Sequence, residues 1–354
     1  MSDEQQSDHR PTSFLGEIKD AVSARSALLV LGVLALGVLF ITSYAGAFHH
    51  PKPKDIAFGV VAPEQVKAQL VGELDKLPGH PLDPRAVASP AEAEQQIKDR
   101  KIYGALLFDP RGTTDELRVA SGGGAAVADA LEEVVALVEK AQQPPRTVKT
   151  VDVAPIGKGD SRGLSSFYLV VGWCVGGYLC AAILAISYGA RPANVRRAAI
   201  RLLTLALFSA VLGLLGAVVI GPILGALPGS VCGLWGVGTL VVFAAGATTF
   251  AFQGMAGIVG IGLTVLVIVV AGNPSAGGAY PYPLLPPFWR AIGPALPPGA
   301  GTWAARSIAY FSGNAMTGPL LVLSAWALGG ALLTFLFASL KKGREAVEAS
   351  EVRQ

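Results

Sequence analysis

No acidic residue stands between Asp160 and Glu345. Residues 164–340 are built of long apolar runs and hold six basic residues and no carboxylate. A soluble domain carries about 25% charged residues with both signs interspersed. The whole chain here is 15% charged and 52% hydrophobic, with a mean hydropathy of +0.51. Such a segment folds in lipid, where each apolar run of about 20 residues makes one span. A wholly soluble enzyme is thereby excluded. Most remaining charge lies in residues 48–163, with 15 basic and 17 acidic residues. The chain therefore reads as an α-helical polytopic membrane protein with one soluble insert. Its net charge of +3 is too small to point to nucleic acid, and its basic residues sit beside apolar spans.

Six spans are expected. The first, Ala27–Ala47, covers roughly 30 Å at 1.5 Å per residue. Ala45-Gly46-Ala47 has the look of a signal-peptidase site. However, a signal h-region is only about 7–15 residues and follows a basic stretch. Residues 1–26 instead hold five acids against three bases, so an uncleaved anchor is expected. The other spans are Leu164–Tyr188, Ile200–Ile220, Val231–Phe252, Gly254–Gly272 and Gly318–Leu340. The join at Phe252-Gln253-Gly254 is tight, but the two runs together are twice a bilayer span. Arg191, Arg196, Arg197 and Arg201 crowd the link between spans two and three, and Lys341, Lys342 and Arg344 follow span six. The positive-inside rule puts both clusters in the cytoplasm. An even count then places both termini inside and the insert at 48–163 outside. In the N-terminal tail (1–26), Phe14, Ile18 and Val22 repeat every four residues. That stripe fits either an amphipathic lead-in helix on the membrane surface or an extension of the first span.

The insert reads as an α+β domain of order β-α-(β)-α-β-β-α-β. Asp55–Ala62, Ile102–Phe108, Glu116–Ser121 and Arg146–Val153 have strand patterns. Glu64–Leu77 and Ala125–Gln142 have helical stripes. Ser89-Pro90-Ala91-Glu92 supplies a cap, an N1 proline and an acidic first turn for a helix reaching Lys101. The insert's carboxylates are unclustered by spacing and read as a solvated surface. Between the last two spans, residues 273–317 are too apolar for a free loop and too broken by proline for a span. Short re-entrant or interfacial helices fit there, with Arg290, Pro297, Pro298 and Arg306 as the residues that mark the segment. Arg290 and Arg306 either snorkel to the interface or attract an anionic substrate or headgroup.

Nothing in the sequence points to catalysis. The four histidines lie outside the spans, and no GxSxG elbow, HExxH pair or Cys/His metal spacing occurs. Cys174, Cys180 and Cys232 lie in apolar runs and read as packing. Gly157-Lys158-Gly159 lacks the earlier glycine and the Ser/Thr of a P-loop. The missing carboxylates also exclude an intramembrane acid relay within this chain, so transport would draw its energy from another protein. Arg191, Arg196, Arg197 and Arg201 fit an ATPase-docking helix or topology alone. Gly172, Gly176 and Gly177 allow close helix approach, within the chain or at a dimer interface.

Several stretches resemble one family. Ser89-Pro90-Ala91-Glu92-Ala93 through Gln96-Ile97-Lys98 to Tyr103-Gly104-Ala105-Leu106-Leu107-Phe108 is similar to its external helix-then-strand segment. Asp160-Ser161-Arg162-Gly163 with Phe167-Tyr168-Leu169 resembles its entry to span two, and Ala295-Leu296-Pro297-Pro298-Gly299-Ala300 its turn before span six. With the span pattern, these resemble ABC-2 type transporter permeases, among them phage-infection-protein-like actinobacterial membrane proteins. The resemblance implies a non-enzymatic permease subunit in a bacterial plasma membrane. It would work as a dimer with a second copy or a sister permease, and export a hydrophobic or amphiphilic substrate. Any cofactor would be ATP on a separate ATP-binding ABC subunit. The alternative is a non-transporting scaffold or receptor whose external domain binds an envelope or phage partner.

Overall fold

The computed structural model describes residues 23–351, and the stripe at Phe14, Ile18 and Val22 lies outside them. The protein is mostly helical, with one five-stranded sheet. Helix α1 (Ala24–Phe48) starts at Ser23, whose Oγ accepts the Ser26 amide at 3.1 Å. From Leu28 to Ile41 its large apolar side chains, Leu36 apart, are exposed. Only its far end is tied down. There Ser43 Oγ donates to the Val270 carbonyl at 2.6 Å and Ala47 is fully buried.

The insert folds around strands β1 (Ile56–Val61), β2 (Leu82–Ala86), β3 (Gly104–Leu107), β4 (Thr114–Val119) and β5 (Thr147–Asp152). They lie in the order β2-β1-β3-β4-β5, with only the β3–β4 pair antiparallel. β2 is the strand hardest to read, because Pro84 interrupts its pattern. Its place at the sheet edge tolerates a residue that cannot donate to the ladder. Period-two alternation sends Ile56, Phe58 and Val60 to one face. There they pack with Leu74 of α2 (Glu64–Asp75) and Leu131 and Val135 of α4 (Ala125–Ala141). The opposite face receives Ala93 and Ile97 of α3 (Pro90–Lys98) against Ala105.

Three carboxylates depart from the expected solvated surface. Asp115, Glu139 and Asp160 are 1%, 4% and 3% exposed. Asp115 accepts Arg146 Nε at 2.6 Å and Nη2 at 2.7 Å, a two-point pairing that compensates burial of both charges. Asp160 accepts the Ser165 amide at 2.9 Å and the Tyr310 hydroxyl at 2.8 Å. The side-chain partners Arg146 and Tyr310 are distant in sequence, which is why spacing among carboxylates does not reveal them.

Five helices are long and apolar enough to cross a membrane. They are α1, α5 (Ser165–Tyr188), α6 (Val195–Val218, continuing to Ile223), α7 (Val231–Ala256) and α11 (Thr317–Glu351, apolar to Leu340). The sixth expected run is a shorter helix, α8 (Val259–Thr264), extended through a π-helical stretch to Ser275 for 17 residues in all. Its boundary also moves. The chain breaks at Gly257 (φ +63°), not at Gln253, and Gly254 stays inside α7. α7 is buried almost continuously from Val241 to Gly254 and forms the axis of the bundle. Small residues allow that density: a Cβ on Gly238 would strike Trp173, and one on Gly330 would meet the Ala247–Thr248 backbone.

Residues 273–317 hold two short helices, α9 (Pro287–Ile292) and α10 (Pro297–Tyr310). Trp326 Nε1, nine residues past Thr317, donates to the Ala295 carbonyl at 2.8 Å. At 1.5 Å per residue the α9–α10 corner lies roughly 14 Å along α11. α10 then rises through the bundle edge with most of its residues buried.

Candidate functional site

The sheet domain and the bundle meet at residues 273–317, and α10 is the centre of that junction. Arg306 on α10 is 3% exposed. Its Nη1 donates to the Gly277 carbonyl at 2.6 Å and the Gly123 carbonyl at 3.3 Å. Its Nη2 donates to the Gly278 carbonyl at 2.7 Å and the Gly163 carbonyl at 3.1 Å. Three turns of the chain are thereby gathered on one cation: the entry to α4, the entry to α5 and the loop after α8. Two of them bend through glycines in the left-handed region, Gly163 (φ +65°) and Gly277 (φ +69°). Beside this clamp, Asp160 links Tyr310 of α10 to the first amides of α5.

A second cation comes from the soluble side. Arg100 follows α3 with φ +58° and donates through Nη1 to the Trp303 carbonyl at 2.9 Å and to Ser307 Oγ at 2.8 Å. Its guanidinium lies 3.5 Å over the Trp303 ring centroid and 4.9 Å from that of Phe311. Burial lowers its pKa, while the carbonyl and the ring faces favour the charged form. Nearby, Asn314 Nδ2 donates to the Lys98 carbonyl at 3.1 Å. On the other flank the Lys54 amide donates to the Pro283 carbonyl at 3.0 Å. Apolar contacts complete the grip: Leu284 and Tyr280 join the α4 face of the sheet, and Phe311 joins the α3 face. The broken segment thus holds the sheet from both sides.

The residues singled out from sequence fall as follows. Pro297 and Pro298 form the buried first turn of α10, with Pro298 against Gly272. Arg306 neither snorkels nor presents its charge to solvent, because protein carbonyls enclose it. Arg290 is half-buried. It donates to the Lys54 carbonyl at 2.8 Å and lies 3.7 Å from the Asp55 carboxylate. The basic cluster divides. Arg191 Nη2 donates to the Met255 carbonyl at 2.9 Å, capping α7. Arg201 is 7% exposed and donates to the carbonyls of Tyr188, Gly189 and Ala190 at 3.1, 2.8 and 3.4 Å. Arg196 and Arg197 stay exposed on the first turn of α6, opened by Asn194 Oδ1 accepting the Arg197 amide at 2.9 Å. Of the glycines, Gly176 faces Leu212 and Phe208 of α6, and Gly177 meets the backbone of α7 at Val242. Gly172 faces open space.

Arg100, Trp303 and Tyr310 were not singled out from sequence, and Asp160 entered only as the start of the stretch leading into span two. One signal was available: an arginine in a long stretch without acids has to find carbonyls or water, and the glycines at 122–124, 163 and 277–278 mark where backbone comes close. Among the described residues no group of three or more His, Cys, Asp or Glu is placed to hold a metal. What the arrangement can do is mechanical, fixing the sheet to helices that enter the bundle. Comparison with protein-family models, curated proteins and solved structures returns no match, and no family assignment follows from it.

Proposed function

We propose that this chain is the membrane-spanning permease of an ATP-driven, ABC-2 type exporter. It works as a dimer, of two copies or with a sister permease, and a separate ATP-binding subunit drives it. In this reading α1, α5, α6, α7, α8 and α11 are six spans of a bacterial plasma membrane. Both termini are cytoplasmic, the sheet domain is outside, and α9–α10 are re-entrant. The acid-free interval supports a partner as the energy source, since it leaves no carboxylate for an intramembrane relay.

One observation carries the reading. α6 is a single helical rod from Val195 to Ile223, 29 residues long, or about 43 Å. Exposed Arg196 and Arg197 stand at one end. At the other, the turn after Ile223 presses on the exit of the soluble domain: a Cβ on Gly159 would strike the Gly225 carbonyl, and Gly157 lies against Pro228. A push on the basic end therefore reaches the external domain through one continuous element, α6 and its π-helical last turn at Pro222.

The test is purification in mild detergent from native membranes, with mass spectrometry of whatever co-elutes. A stoichiometric companion bearing a Walker A P-loop is expected. Replacing Arg196 and Arg197 together by alanine is expected to lower its recovery at least tenfold with membrane insertion unchanged. A companion-free oligomer, or one holding only envelope proteins, overturns the permease reading in favour of a scaffold or receptor.

A further inference from the structure

Beside the α10 clamp lies a cavity of about 340 Å³ that none of the described residues fills. Gly318, Pro319 and Val322 of the first turns of α11 form its apolar side. Tyr103 from the soluble domain, with Tyr282 and Trp303, forms the other. Tyr282 and Trp303 are stacked, with centroids 5.9 Å apart and planes 13° from parallel. The same three aromatics also border a space of only about 10 Å³, and behind it stand Arg100 and Arg306. The two spaces together are graded, from aliphatic beside α11, through the shared aromatic rings with phenol hydroxyls, to two buried guanidiniums that line only the smaller one. Among the described residues neither phenol is engaged in a side-chain hydrogen bond.

We infer that this cavity binds a single apolar chain of an anionic amphiphile that enters from the outer membrane interface. Four features select this occupant. The volume lies at the small end of ligand pockets. At roughly 30 Å³ per water-sized group it takes about eleven such groups, or one medium-length alkyl chain. Leu320 and Leu321 beside the α11 wall are 37% and 66% exposed, so the lip of the cavity faces an apolar medium. The polar side offers the Tyr103 and Tyr282 hydroxyls as donors, with the positive field of Arg100 and Arg306 behind them; the Arg306 Nη atoms are already taken by carbonyls. No carboxylate lines either space among the described residues, and Asp160 is committed to Tyr310 and the start of α5. A carboxylate, sulfate or phosphate head is attracted by that field, and a quaternary ammonium is repelled by it. This deepens the export reading by naming a substrate class and rests on it for the word substrate; the binding itself does not depend on it.

The experiment uses the full-length protein in neutral phosphatidylcholine nanodiscs with a diazirine-bearing dodecanoate, and maps photolabelled peptides by mass spectrometry. Saturable labelling of residues 294–303 and 318–322 is expected. Excess dodecanoate should abolish it, and dodecyltrimethylammonium at equal concentration should not. Gly318→Leu fills the lip of the cavity from a position where an added Cβ meets nothing within 4 Å, so the backbone tolerates it. It is expected to cut labelling at least fivefold. Tyr282→Phe, which keeps the ring, should raise the dodecanoate needed for competition about fivefold. Labelling that is unsaturable, spread over the exposed face of α1 and indifferent to Gly318→Leu overturns the site. Equal competition by the cationic chain overturns the choice of an anionic head. No ATPase enters this assay, so a failure of the permease reading leaves its result standing, and the converse holds too.

Discussion

Replacing Arg306 by methionine removes a charge of which only Nε lacks a partner, and it leaves four carbonyls behind. The two short bonds, to Gly277 at 2.6 Å and Gly278 at 2.7 Å, dominate the expected loss. A hydrogen bond to a charged group contributes about 1.5–3 kcal/mol net. The pair alone thus stabilises the junction by about 3–6 kcal/mol, with the longer bonds to Gly123 and Gly163 counted as zero. A counter-argument comes from buried ion pairs, which apolar residues can replace at no loss. It fails here because those replacements remove both partners, whereas the carbonyls of Arg306 belong to the backbone and stay. The assay is amide hydrogen exchange of the full-length protein in detergent, read on peptides covering 120–126, 160–166 and 275–282. Local opening governs exchange in such segments, and 1.4 kcal/mol is tenfold. Arg306→Met should speed exchange there by at least about 100-fold. The sheet strands, held by their own ladder, should change far less. Arg306→Lys, a point charge without the planar fork, should fall between. Exchange within threefold of the parent at all three segments would refute the clamp.

Two further predictions concern packing and pH. Gly177→Ala puts a methyl group into the α7 backbone at Val242, and overpacking of this kind costs about 1–3 kcal/mol or more. Gly172→Ala meets nothing and should stay within about 0.5 kcal/mol of the parent. Detergent-melting curves of the two variants distinguish these sites, and equal curves refute the assignment. Glu139 is 4% exposed, and its pKa is pushed up to about 7, first by burial and then by Asp115. Its protonated form is favoured in the fold, so its contribution is most favourable below the unfolded carboxylate range. That contribution is lost as pH rises towards 7. Glu139→Gln should therefore melt higher than the parent at pH 8 by an amount equivalent to about 3 kcal/mol. The gap should close towards pH 4.5, and a gap that is constant with pH contradicts the burial argument.

Local signals carried much of the fold. Ser89 caps α3 as its sequence indicates, with Oγ accepting the Glu92 amide at 3.2 Å while Glu92 Oε2 accepts the Ala88 amide at 3.2 Å. Leu131 and Val135 turn inward on α4 as their spacing requires. The spans opening at Ser165, Val231 and Thr317 lie within a residue of the hydropathy edges. What stayed hidden depends on partners far along the chain. β2 is concealed by Pro84, since nothing nearby in sequence says that its strand lies at an edge. The break between α7 and α8 falls at Gly257 because Gly260, not Gly254, has to pass the Phe252–Gln253 backbone. Arg306 and Arg290 looked alike as isolated cations in an apolar segment. Only the fold brings four carbonyls to one and a half-exposed strand entry to the other. Arg191 and Arg201 likewise take on capping roles that only the fold reveals, at the ends of α7 and α5.

The unequal packing of the helices suggests which parts move together. In lipid, helices associate through close contact and hydrogen bonds, because the surrounding chains are as apolar as the side chains themselves. α5, α6, α7 and α11 interlock through glycines, and α10 ties them to the sheet through Arg306 and Asp160. These elements have no cheap way to slide separately. α1 differs: none of its most apolar stretch is buried, and its contacts gather at Ser43, Gly46 and Ala47 near α8 and α9. Its other end borders a wide gap of about 670 Å³ shared with Arg191 and the Gly257 turn. On the permease reading, a force applied at Arg196 and Arg197 acts on one block comprising the bundle and the sheet. The hinge of that block is expected where α1 meets Trp289, whose indole donates to Ser43 Oγ at 3.1 Å while its ring lies against Gly46. Gly46→Val, which drives a branched side chain into that ring, should loosen α1 while leaving the Arg306 segments protected from exchange. If both loosen together, α1 belongs to the block and the hinge lies elsewhere.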